Sequence, residues 1–403
     1  MSAAAKGRSM RAMPATIVPR HASCKVPARR NAGEVEMSAS NLNAIQVSSN
    51  AEKSGTKSGV MALSRRTLLL GTVVGAVLGM VAFGDRARAE TKNVRIMMDW
   101  IIQGTHAPFF IAQKKGYFKD AGVTVDAIDA GKGATNVAVS VAGGAYQFGW
   151  VDLPSMIRFN AMNPSSPLIA VYISFDETPL AVVTRADAGI RKPADLNGKK
   201  IAGGPGTAVH DTIGILLKAA HAENVKVDWV NVQPQLFGPM LKRGEVAGTG
   251  GFTNSNIPAA LELGFTMKDL FVLKYSDFGA DMYGLALVTT KKFADENPGT
   301  VKGVVAALNH GTKDTIASPD AALALMKERD PMMKMDIEKV RLGLALDLTK
   351  TKHVEKYGLS VVDPKKLQFT IDSIADAFKL AAKPDPAAVY TDKFLPPLAD
   401  RKL

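Results

Sequence analysis

Asp99, Trp100 and His106 fall close together behind an apolar stretch, 94–98, that has the make-up of a β-strand. An indole can stack on a planar molecule, while an imidazole and a carboxylate can fix its polar edges. The competing reading has Trp100 packing under a turn and His106 capping the helix that follows. Asp152 stands behind a second strand-like stretch, 147–151, where it can accept hydrogen bonds from an amine or hydroxyl. It can equally cap a helix, since Pro154 sits at an early helical position. The run 203–210, Gly-Gly-Pro-Gly-Thr-Ala-Val-His, joins a strand to a helix. Backbone N–H groups and the helix dipole make such a turn a cradle for carboxylate, sulfonate or phosphate, with Gly204, Gly206, Thr207 and His210 as its contacts. Asn254 and Asn256 offer amides for orienting a ligand, against the alternative of an Asx-turn. Tyr283, just before a strand-like run at 285–289, is placed to close a cleft from its hinge. Asp176 and Glu177, after the stretch 168–174, either flank the cleft or stand on a solvated loop, the reading preferred.

Several chemistries lack the residues they need. Cys24 is the single cysteine, so everything after it is without thiol nucleophiles, zinc–thiolate sites or disulfides. His106, His210, His221, His310 and His353 form no His-x-x-x-His or His-Glu-x-x-His pair, so neither a metal nor another cofactor is expected. No Gly-x-Ser-x-Gly elbow is present, and the glycine turn lacks the Gly-Lys-Ser/Thr ending of a P-loop. An enzyme would have to rest on His106 or His210 working with Asp152 as acid and base. The formal charge is +12, but residues 1–89 carry 13 Lys and Arg against 4 Asp and Glu, which leaves +3 for the remainder. A basic balance confined to the leader argues against a nucleic-acid partner.

The elements that position these residues alternate between strand-like and helix-like runs, the signature of an α/β fold. Strands are expected at 94–98, 123–128, 147–151, 168–174, 180–184, 199–204, 227–232 and 285–289. Helices are expected at 106–115, 134–142 and 210–222, and the chain turns mainly helical from Pro298, at 300–317, 320–328, 336–346 and 364–382. The segments 181–184 and 285–290 read as two crossings between lobes. Lobe one then comprises 90–184 and 286–403, and lobe two 185–285.

Ahead of these lobes, 64–70 reads Ser-Arg-Arg-Thr-Leu-Leu-Leu, followed by an apolar run to Phe83 and an Ala-x-Ala site ending at Ala89. Twin arginines, a short apolar run and a small-residue site are the parts of an export signal. Residues 61–89 are therefore read as a twin-arginine-type signal peptide cleaved after Ala89, which puts the product in the periplasm. Residues 1–60, rich in Ser, Ala, Asn and basic residues without periodicity, read as a disordered extension or a mis-assigned start.

The stretch 104–125, Gly-Thr-His-Ala-Pro-Phe-Phe-Ile-Ala-Gln-Lys-Lys-Gly-Tyr-Phe-Lys-Asp-Ala-Gly-Val-Thr-Val, closely resembles the first helix and second strand of the periplasmic solute-binding proteins for nitrate, sulfonates, taurine and thiamine-pyrimidine precursors (the SsuA/THI5-like group). Four further blocks resemble that family in order, at 148–152, 192–202, 242–247 and 293–298. In the third of these Glu245 is out of register and Ala247 stands where the acidic residue normally does. The resemblance implies a type II periplasmic-binding-protein fold, with two lobes joined by two hinge segments. It also implies a monomeric receptor that binds a small molecule and delivers it to the permease and ATPase of an ABC importer. An Asp-Trp pair followed by a His occurs at this place in the pyrimidine-precursor branch, which points to a planar ligand. The glycine turn points to an anionic one.

Overall fold

The computed structural model describes residues 92–204 and 207–403. The expectations for 1–60 and 61–89, the cleavage site and Gly206 lie outside the described residues.

Short runs rich in Val, Ile, Leu and Phe pair into two five-stranded sheets. The first takes β1 (Asn93–Met97), β2 (Thr124–Asp129), β3 (Phe148–Asp152), β4 (Leu168–Ile173) and β10 (Leu285–Thr290), in the order β2-β1-β3-β10-β4. The second takes β5 (Leu180–Arg185), β6 (Lys200–Ala202), β7 (Asp228–Val230), β8 (Gly248–Phe252) and β9 (Leu270–Lys274), in the order β7-β6-β8-β5-β9. The two sheets repeat one plan. β1 runs parallel to β2 and β3, as β6 does to β7 and β8, and one antiparallel strand, β10 or β5, follows in each. Every residue of β3 and β4 is buried, as expected of strands covered on both faces.

The chain leaves the first sheet through 174–179 and returns through 275–284. The crossings expected at 181–184 and 285–290 are both thereby corrected, since β10 is hydrogen-bonded between β3 and β4 in the first sheet. β5 is hydrogen-bonded between β8 and β9 in the second sheet, with Leu180 opposite Phe252 and Val182 opposite Leu273. Periodicity identifies a strand but not the sheet that takes it. Asp176 and Glu177 are corrected too: they lie on this crossing, Asp176 is buried, and its Oδ2 accepts from Thr351 Oγ1.

The helices that shape the site are α1 (Ala107–Lys114), α2 (Ala134–Ala142), α3 (Leu153–Met162), α4 (Ala208–Ala219), α5 (Thr253–Glu262), α6 (Pro298–Ala317), α7 (Met335–Thr349) and α8 (Pro364–Phe378). The Gly-Tyr-Phe block that ends α1 is explained by packing. Gly116 has a φ of 81°, which an L-side chain rarely adopts. Phe118 is buried in the core, and Tyr117 donates its hydroxyl to Asp314 Oδ2 on α6 at 2.5 Å.

Among the elements absent from the expectations are β8, β9 and α5. The run Gly248–Gly251 has little strand propensity, yet its small residues suit the space. A Cβ at Gly250 would lie 2.9 Å from Val209 Cγ1, so glycine lets α4 press on the sheet. Asn254 and Asn256 stand in the first turn of α5 rather than in an Asx-turn.

Candidate ligand-binding site

β1 and β3 are parallel neighbours, so the residues after their carboxyl ends share one edge of the first sheet. That edge is where open α/β sheets bind ligands. Asp99 follows β1, and its Oδ1 lies 2.8 Å from His106 Nε2. The other ring nitrogen, Nδ1, accepts the backbone N–H of Gln103 at 3.0 Å, so the ring proton sits on Nε2 and points at Asp99. His106 has no exposed surface and stacks edge-on against Trp150, 5.3 Å between centroids. Trp150 is itself held by a hydrogen bond from Nε1 to Ser174 Oγ at 2.9 Å. His106 is thus a fixed post, and Asp99 is the group it presents. The side chain of Asp99 keeps 17% of its surface exposed, and no described residue bonds to its Oδ2.

Asp152 caps α3, accepting the Ser155 N–H at 2.9 Å, so the capping alternative holds for it. Burial pushes its carboxyl above the usual carboxylate range, and the nearby charge of Asp99 pushes the same way. Trp100 is partly exposed on the same edge, beside Ile101 at 57% exposure.

The second sheet contributes Asn254. It is buried, its Nδ2 reaches Thr105 Oγ1 at 3.4 Å, and its Oδ1 has no partner among the described residues. Such orphans are rare in folded proteins and need an explanation. Asn256 is different: its Nδ2 is spent on Thr249 Oγ1 at 3.0 Å, and it lies over Gly251. In the glycine turn, Thr207 Oγ1 donates to Gly204 O at 2.8 Å and accepts from Gly204 N at 3.4 Å. His210 stacks on Trp229 and binds Asp211 at 2.9 Å through Nδ1. Asp211 in turn pairs with Arg158 of α3 at 2.6 Å, which ties the two sheets together beside the turn. Tyr283 does not face this edge. It is buried, its hydroxyl accepts the Asp363 N–H at 2.7 Å, and Lys366 of α8 lies over its ring. Its role is to moor α8 to the returning strand.

Two sheets of this order, with polar groups gathered at the strand ends between them, define the type II periplasmic-binding fold. The chain belongs to the NMT1/THI5-like family, whose model matches residues 103–322. It is 23% identical over 330 residues to the riboflavin-binding protein RibY of Chloroflexus aurantiacus, covering 77% of this chain and 88% of that one. It is 25% identical over 264 residues to the formylaminopyrimidine-binding protein of Halalkalibacterium halodurans, covering 64% and 77%. Among solved structures, the periplasmic aliphatic sulphonate binding protein SsuA of Escherichia coli matches with a TM-score of 0.56 at 16% identity, over 78% of this chain and 92% of that chain.

Proposed function

We propose that this chain is the solute-binding component of an ABC importer, exported through its twin-arginine leader, and that it binds a small planar molecule rich in N–H donors between its two sheets. The observation that carries the reading is the set of unfilled acceptors at one edge. Asp99 is presented by His106, Asp152 has a raised carboxyl, and Asn254 has an orphan Oδ1. Acceptors left bare in a buried site cost stability until a donor arrives, and a ligand bearing amino groups supplies donors to Asp99 and Asn254, while the raised Asp152 carboxyl favours its neutral form. Riboflavin and formylaminopyrimidine, named for the two relatives, are both planar nitrogen heterocycles, and the aminopyrimidine carries the amino donors. Trp100, partly exposed beside these carboxylates, offers a face for stacking.

Sulfonates and aromatic carboxylates fit less well. The glycine turn spends part of its donor capacity internally, on Thr207, and the Asp99 carboxylate repels an anion. Binding shifts an open–closed equilibrium by the ligand's extra affinity for the closed state, which the membrane permease then receives. The test is thermal unfolding of the protein with an aminopyrimidine, riboflavin, taurine and an aromatic carboxylate in turn. A ligand at about 100 times its dissociation constant stabilises by about 2.7 kcal/mol. A shift with a nitrogen heterocycle supports the reading, and a shift with taurine alone overturns its ligand class.

A further inference from the structure

Glu338 and Arg341 form a buried ion pair that the ligand edge does not use. They stand three residues apart on α7, 7% and 6% exposed, with Arg341 Nε donating to Glu338 Oε1 at 3.0 Å. Burying an ion pair costs several kcal/mol of hydration per ion, so it is weak evidence for stability alone. Each ion also makes a second bond, and the two bonds go to different lobes. Glu338 Oε2 accepts the Gly104 N–H at 2.6 Å, two residues before His106. A Cβ at Gly104 would lie 2.9 Å from that oxygen, so glycine is what admits the carboxylate. Arg341 Nη1 donates to Asn254 O at 2.9 Å. That carbonyl is vacant for a reason legible in sequence. Its helical donor would be the N–H of residue 258, and residue 258 is proline.

The helix itself lies along the seam. Ala345 and Leu348 belong to the first-lobe core, and Leu344 packs on the second-lobe cluster of Val183, Leu241 and Ile257. Its far end holds the crossing segment, where Glu177 N donates to Leu348 O at 3.2 Å.

We propose that the Glu338–Arg341 pair is an interlobe latch: it positions Asn254 against the 103–106 turn and holds the cleft closed before ligand arrives. Opening the cleft separates Gly104 from Asn254 and pulls one ion off its bond in a dry setting. The pair lies beyond residues 103–322, where the family model matches, while its partners Gly104 and Asn254 lie within that span. The inference rests on the two-lobed receptor reading, but its test needs no ligand.

Spin labels are placed at Met162→Cys and Met267→Cys, exposed residues of the first and second lobes, in the full chain carrying Cys24→Ser. Their distance distribution is measured by pulsed electron resonance on ligand-free protein. Glu338→Gln/Arg341→Met removes both charges together and so leaves no lone buried ion. The latch predicts a shift to longer distances, with the open-to-closed ratio rising roughly tenfold or more, as loss of a charge-assisted hydrogen bond requires. The melting temperature should stay near that of the parent. An unchanged distribution in a folded variant overturns the proposal. Should the double variant not fold, Glu338→Asp keeps both charges but shortens the reach to Gly104. It must lengthen the distance as well, and failure to do so overturns the latch equally. A protein that responds in this assay yet binds none of the heterocycles would sink the ligand reading and leave the latch standing.

Discussion

His106 and Asp99 form a buried-to-exposed pair: the imidazole, with no exposed surface, donates at 2.8 Å to a carboxylate that still meets solvent. One residue holds, and the other is proposed to contact the ligand. Asp99→Asn keeps an acceptor for His106 and removes the charge. It should therefore leave the melting temperature nearly unchanged while weakening a heterocyclic ligand by about ten- to a hundredfold, the usual value of a hydrogen bond to a charged group. Titration calorimetry of parent and variant checks this, and equal affinities would remove Asp99 from the site.

Asp152 should show the opposite balance. Its carboxyl titrates above its ordinary range in the folded chain because burial penalises the charge. The folded chain therefore holds a proton that the unfolded chain has already released, and stability falls as pH rises through that window. Asp152→Asn preserves a capping residue and abolishes the ionisation. The variant should be the more stable protein at about pH 7, with the gap closing as pH drops below about 4, the ordinary Asp value. Denaturant midpoints across that range decide it. A variant less stable at neutral pH would mean the charged form is favoured by a partner.

Tyr283 separates mooring from binding. Tyr283→Phe strands the Asp363 N–H and should cost about 1 kcal/mol of stability. Ligand affinity should not move, because the hydroxyl faces α8. A tenfold loss of affinity at unchanged stability would return Tyr283 to the cleft.

Arg158 and Asp211 bridge the sheets beside the glycine turn, with 37% of the Arg158 side chain exposed. Arg158→Met should shift stability by less than about 1 kcal/mol, as partly exposed pairs do. Ligand affinity of the variant should also depend less on ionic strength than that of the parent, compared at low and high salt.

The strand–helix alternation, the 104–125 block and the edge carrying Asp99, His106 and Asp152 were readable because they depend on local pattern. β5 was assigned to the wrong lobe because a strand's own residues do not name its partner. α5 was hidden by a proline inside it and by two asparagines that suit a turn equally well. The Glu338–Arg341 pair was out of reach for a different reason. Its meaning lies in Gly104, 234 residues away, and no spacing rule connects the two. Tyr283 was misplaced because a tyrosine before a returning strand can turn either way, and only the packing of α8 decides.

The central claim is that this is a receptor whose bare acceptors take a nitrogen heterocycle. The most direct measurement is calorimetric titration of the protein with an aminopyrimidine and with riboflavin, followed by recovery and mass analysis of the bound molecule. The account predicts saturable binding of one of them, one molecule per chain, recovered chemically unchanged and weakened by Asp99→Asn. Recovery of a transformed molecule would make the cleft an active site and contradict the account, as would binding indifferent to Asp99.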